Sequence, residues 1–164
     1  MSVVQRDYIE RMIEQAAQAF AQILELVRAG DLDPAMILLQ KTRDLVLGPM
    51  RPVLERVDAG SAVELLGKYE MDRLRIYAAL LGEEGAIHER RGMPARAELC
   101  YRHALELYAA ISLAGARLNP ADQERIALLL PKVQAGSIGK RFGDELRRLA
   151  GEASPSHVAG IVAT

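Results

Sequence analysis

Ile9, Ile13, Ala16, Phe20, Ile23 and Val27 follow one another at spacings of four and three. Residues three and four apart share a helical face, so this period lays them on one stripe of an α-helix. Tyr8, Met12 and Leu24 widen the stripe, while Arg6, Arg11, Glu14, Gln18 and Gln22 fall mostly off it. The pattern predicts a helix from near Val4 to Ala29, ended at Gly30, where a residue without a Cβ can take the left-handed cap conformation. The stripe has fewer heptads than a coiled coil needs, so its expected use is burial within the fold.

Asp33-Pro34, an acidic cap followed by a first-turn proline, opens a second helix. That helix carries Ala35, Leu38, Leu39, Thr42, Leu45 and Val46 inward and ends before Gly48-Pro49. The segment GPMRPVLERVDAG predicts a short helix or turn around Val53 to Val57, and Ser61 with Glu64 has the spacing of a capping box for a short helix stopped by Gly67. A helix over about Glu70 to Arg91 stops at Gly92, and another runs from Pro94 to Leu113. Asn119-Pro120 repeats the cap-then-proline signal; Pro131 lacks the N–H a helix interior needs and should end or kink that helix. A last amphipathic helix covers about Ile138 to Leu149, and no stretch alternates as a strand would. The expectation is an all-α fold of about six to seven helices in antiparallel hairpins. It forms one domain over 1–150, with hairpins at about 4–47 and 70–114, an insert at 48–69, C-terminal capping helices at 120–150 and a flexible tail at 151–164.

Composition narrows this picture. The chain of 164 residues suits one domain with a real core. Half of it is hydrophobic, yet it holds two Phe, five Tyr and no Trp, so Ala and Leu must fill the interior, which favours close helix packing over sheets. A formal net charge of −1 gives no long-range attraction to nucleic acid or an anionic membrane. Cys100 is the single cysteine, which rules out an intramolecular disulfide and suits a reducing compartment. The N-terminus has no basic stretch leading into an apolar one, and no run is long and apolar enough to span a bilayer, so a cytoplasmic protein without membrane contact is expected.

The segment LLGEEGAIHERRGMPARAELCYRHALELY resembles a tetratricopeptide repeat. Leu81 holds the large apolar position and Gly85 the small one where the two helices cross. Gly92 marks the turn, Ala97 and Ala104 the small contacts of the second helix, and Tyr101 its large packing residue. It departs from the pattern at Glu84, where an apolar residue is usual, and at Ala109, which replaces a frequent terminal proline. A weaker copy lies at the N-terminus, with Gly30 at the turn, Ala35, Leu39 and Thr42 in the second helix, and Ile23, larger than expected, at the crossing. The stretch from about Gln5 to Ile111 is similar to an uncharacterised bacterial family related to tetratricopeptide proteins. The resemblance implies a compact right-handed α-solenoid and, by fold alone, a non-catalytic adaptor or scaffold that binds another protein or a second copy of itself as a homodimer.

Candidate chemistry is sparse. Glu84 and His88 share a helix face, but two ligands do not make a metal site, and a hydrogen-bonded packing histidine is the expected role of His88. Cys100 lies near His103 on one helix, yet a helix-interior cysteine is expected to pack as a small apolar residue. GSIGK is two residues short of a phosphate loop and has Arg141 where Ser or Thr would hold magnesium. Glu98 and Arg102 have the spacing of a solvated helix pair, and no carboxylate stands out as one with a raised pKa. The clusters Arg90-Arg91, Lys140-Arg141 and Arg147-Arg148 are interleaved with acids and lack stacking aromatics, so neither nucleic acid nor a cofactor is expected as a partner.

In tetratricopeptide proteins the first helix of each hairpin lines the groove. The resemblance therefore implies partner-binding positions at Phe20 and Leu24 on one helix and Ala79, Gly82, Ala86, Glu89 and Arg90 on the other. Helix one could pack its bulky face on the small face of helix four and close the groove, or both faces could stay partly open for a partner helix. The alternative function is a small-molecule sensor with a ligand between helix one, the insert and helix four, around Tyr69, Arg73 and Tyr77.

Overall fold

The computed structural model describes residues 2–153. They form α1 (Val3–Ala29), α2 (Leu32–Leu47), the single turn α3 (Arg51–Leu54), α4 (Ala59–Leu66), α5 (Met71–Arg90), α6 (Pro94–Leu113), α7 (Pro120–Leu129) and α8 (Lys140–Ala153), with no strand among the described residues. None of these helices is long and apolar enough to cross a membrane. The expected tail begins inside α8, and its remainder, with His157, lies outside the described residues.

Local signals set most boundaries. Gly30 and Gly92 take positive φ, 81° and 72°, at the turns after α1 and α5. In both turns the next residue donates back into the helix, Asp31 to Leu26 at 2.9 Å and Met93 to His88 at 2.9 Å, satisfying carbonyls the helix end would orphan. Asn119 and Asp122 cap α7 reciprocally, side chain to backbone in both directions. Two expected caps are displaced. Helix α2 begins at Leu32 after Asp31, ahead of Asp33-Pro34. Helix α4 begins at Ala59, because Asp58 accepts from the Ser61 amide at 2.9 Å, so Ser61 lies inside the helix instead of capping it. The earlier start lets Ala59 and Ala62 both reach the core.

Three helix pairs stack in chain order. Helix α5 packs most extensively on α6 and also touches both α1 and α2; α7 touches both α5 and α6, and α8 packs on α7 and α6. The insert, α3 and α4, lies against α2, α5 and α6. The C-terminal helices thus form a third pair alongside the second. Tyr77, Tyr108, Ile23, Leu39, Leu74 and Leu105 are fully buried at the joints between these pairs. The tightest crossing is at Gly85, where an added Cβ would lie 2.6 Å from Cδ1 of Tyr101. Only a bare Cα lets the tyrosine ring cross α5 at this level.

The ends of α1 and α5 are joined. Arg90 donates to the Val27 carbonyl at the last turn of α1, and Arg91 pairs with Asp33 at the start of α2. Because α1 has 27 residues and α5 has 20, the N-terminal turns of α1 run past their neighbour. Tyr8, expected on the buried stripe, is therefore 61% exposed, and Val3 and Val4 are exposed beside it. From Ile9 onward the stripe is as its period requires, with Ile9, Met12, Ala16, Ile23 and Val27 buried and Ile13 and Phe20 packed half-buried against the core.

Candidate functional site

Helix α5 separates two clefts of different character. On one side α1, α5 and α7 enclose a space of about 400 Å³, with Ile13, Ala17 and Phe20 on the α1 wall, Ile76 and Ala79 on the floor and Ala121 on the α7 wall. The floor continues into a smaller hollow of about 200 Å³ at Gly82, Glu83 and Ala86, edged by Leu128 and Lys132. The small residues at spacings of three and four along α5 keep this floor low.

Charged side chains hold the far wall in place. The Asp122 carboxylate, nearly fully buried, accepts from Arg75 Nε at 2.8 Å, from Arg125 at 3.3 Å and from the Asn119 amide that caps α7, so one group fixes the start of α7 to α5. Arg125 reaches across from α7 to put its guanidinium 4.8 Å from the Phe20 ring centre, bridging the cleft. Burial raises the pKa of Glu83, although Arg125 and Arg28 act in the opposite sense, so a carboxylate that the sequence did not single out is a raised one.

The implied partner-binding positions divide. Phe20, Ala79, Gly82 and Ala86 line the two hollows. Leu24 is half-buried outside them. Glu89 accepts from the Tyr101 hydroxyl at 2.6 Å and from Lys132 at 2.9 Å, which hold its carboxyl below its ordinary pKa, and Arg90 is the pin to Val27. Each uses one polar atom within the domain, Oε2 of Glu89 and Nη1 of Arg90. Helix α1 does not close the small face of α5. At Gly82 the covering atom is Leu129 Cδ1 of α7, 3.5 Å from where a Cβ would stand.

On the opposite side of α5 lies a polar cleft of about 380 Å³ between α2, α5 and α6. The Arg43 side chain is 7% exposed, binds Glu84, lies 3.5 Å from Glu55 and sits over the Tyr77 ring. Arg51 joins Glu55 at 2.8 Å and Asp44 at 2.7 Å, closing the outer rim. Glu84, His88 and Cys100 each present one ligand atom, all within 4.8 Å of one another. His88 is buried, as a packing histidine should be, but the expected hydrogen bonding is incomplete. Its Nδ1 has no partner, and its Nε2 is 3.6 Å from Glu84 Oε1. Burial pushes the Cys100 thiol up to about 12, so it is protonated at neutral pH. His103, the expected neighbour of Cys100, turns its ring edge-on to Tyr77 at 5.7 Å, and burial lowers its pKa.

Tyr69, Arg73 and Tyr77 do not converge. Tyr69 is 70% exposed with the Lys68 ammonium over its ring, whereas Tyr77 is buried in the polar cleft, its hydroxyl pushed up to about 12 by burial. Glu98 does not pair with Arg102 either; it accepts from the Gln134 amide, and Arg102 leans toward Glu106. Two arginines of α8 are matched to acids one turn away, Arg147 to Asp144 and Arg148 to Glu145 and Glu152. No family model matches the chain, and no curated protein or solved structure matches it either.

Proposed function

We propose that the chain is a short tetratricopeptide-like adaptor that receives an amphipathic partner helix in the cleft between α1, α5 and α7. The observation that carries this reading is the order of packing. Each hairpin's first helix rests on both helices of the hairpin before it, which brings α1, α5 and α7 side by side along one face. The Gly85–Tyr101 crossing supports the same reading, since a glycine opposite a large ring at this place is the repeat's own solution to close approach. A helix is the occupant that suits the groove, because the low floor of Ala79, Gly82 and Ala86 admits a backbone and the Phe20 wall offers an apolar anchor.

Site-specific cross-linking tests this. Photo-reactive residues at Ala17 and Ala121, both exposed on the walls, should capture one partner, and the same residue at Leu65 on the far surface should not. Ala17→Trp, which fills the cleft from its exposed side, should abolish capture while the helical content is unchanged. Equal capture from both surfaces, or capture indifferent to Ala17→Trp, would overturn the reading. Cross-links to a second copy, with a dimer in light scattering, would identify self-association as the form the interaction takes.

A small molecule in the same cleft is the second reading. It is favoured by the cleft's volume, within the usual range of ligand sites, and by Arg75, Asp122 and Arg125 converging at its edge. A ligand that raises the melting temperature of the wild type and leaves Ala17→Trp unmoved would select it.

A further inference from the structure

The polar cleft behind α5 holds a group that the packing alone does not explain. His88 is 9% exposed, and its buried Nδ1 has no hydrogen-bond partner. The 3.6 Å from Nε2 to Glu84 Oε1 exceeds hydrogen-bond length. Buried polar side chains are overwhelmingly satisfied, and an orphan among them calls for a water or an ion. Two further donors face it. Glu84 stands one turn back on α5 with Oε2 taken by Arg43, and Cys100 approaches from α6.

The geometry points to a transition-metal site, of the zinc(II) class, formed by Glu84 Oε1, an imidazole nitrogen of His88 and the Cys100 sulfur, with a fourth position open to the polar cleft. A mixed oxygen, nitrogen and sulfur donor set suits zinc or cobalt, whereas magnesium and calcium take oxygen shells. Ligands held about 2.0–2.3 Å from a tetrahedral ion lie roughly 3.3–3.7 Å from each other. The Nε2 to Oε1 separation is already in that range, and the widest separation in the trio, up to 4.8 Å, closes through side-chain torsions.

The surroundings match. Arg43 holds the far oxygen of the ligating carboxylate and is itself steadied by Glu55 and the Tyr77 ring, the outer support that metal-binding carboxylates use. Around the cleft Asp44, Glu55 and Glu84 face Arg43 and Arg51, leaving one net negative charge. A divalent ion that displaces the thiol proton brings the cleft to neutrality. The sulfur–metal bond forms as the S–H bond breaks, its proton passing to solvent.

Cobalt(II) titration of the full chain, stripped with chelator and returned to buffer, tests the assignment. One equivalent should produce tetrahedral visible bands and a near-ultraviolet thiolate-to-cobalt band, and zinc(II) should bleach both. Cys100→Ser should lose the near-ultraviolet band with its circular dichroism unchanged, and His88→Gln should weaken cobalt binding at least tenfold. No thiolate band in the wild type would overturn the site. So would identical spectra from the wild type and Cys100→Ser, which would place the cobalt on surface carboxylates.

Discussion

Helix α5 carries opposite chemistry on its two sides. Toward α1 and α7 it offers a floor of Ala79, Gly82 and Ala86, with the larger Arg75, Ile76 and Glu83 beside them. Toward α2 and α6 it offers Tyr77, Glu84 and His88, and the space is filled by side chains that must satisfy one another. On the first side an added atom is tolerated wherever the facing wall is mobile. On the second a lost atom strands a buried partner. A helix enclosed this way has no single apolar stripe, and what distinguishes its faces is side-chain size on one and pairing on the other.

The sharpest way to break this contrast is Glu84→Ala, which leaves Arg43 buried with only Glu55 and a ring for company. It should cost about 3 kcal/mol, read as a lowered urea midpoint. Adding Arg43→Met to Glu84→Leu should recover most of that loss, because an apolar pair has no charge to desolvate. Next is Gly85→Ala, whose Cβ meets the Tyr101 ring. It should cost about 1–2 kcal/mol despite the better helix propensity of alanine. Gly82→Ala, the same change one turn earlier, has ordinary contact with Leu129 and should instead stabilise by up to about 1 kcal/mol while raising the groove floor and weakening the partner. Destabilisation by both alanines would erase the distinction between the faces.

The smallest effect concerns Glu83. Its folded pKa is raised by burial above the unfolded value, so its ionisation costs stability once pH exceeds the folded value, and that cost is gone below the unfolded one. Glu83→Gln should therefore raise the urea midpoint at neutral pH, with the gain fading as the solution is acidified below about pH 4. A gain of equal size at both pH values would mean that packing, not charge, is responsible.

What the sequence displays is what lies along the chain. The helix from Pro94 to Leu113 and the cap at Asn119 were legible because their signals are contiguous. At α4 two cap candidates overlap, Asp58 and Ser61, and only burial of Ala59 decides between them. The close approach at Gly85 could be read because its partner, Tyr101, occupies a patterned place on the next helix. The polar cleft could not. Arg43, Glu84 and Cys100 come from three helices, and nothing local says that Cys100 faces His88 across a helix boundary instead of His103 on its own. Asn119 was visible as a cap, but the contact of its capping partner Asp122 to Arg75 on α5 exists only once the third pair has docked.

The pins at Arg90 and Arg91 give the domain a bound edge and a free one. Near Val27 the first pair is fastened to the second, whereas its opposite end extends past every neighbour with Val3, Val4 and Tyr8 in solvent. Such an arm should open from its loose tip, parting the walls of the groove like pages sewn at a spine. Amide exchange should record this as a gradient, fast at Tyr8 and slowing toward Val27, and a flat profile would mean that the arm moves with the body. The proposed partner helix should then enter at the tip and close the groove inward.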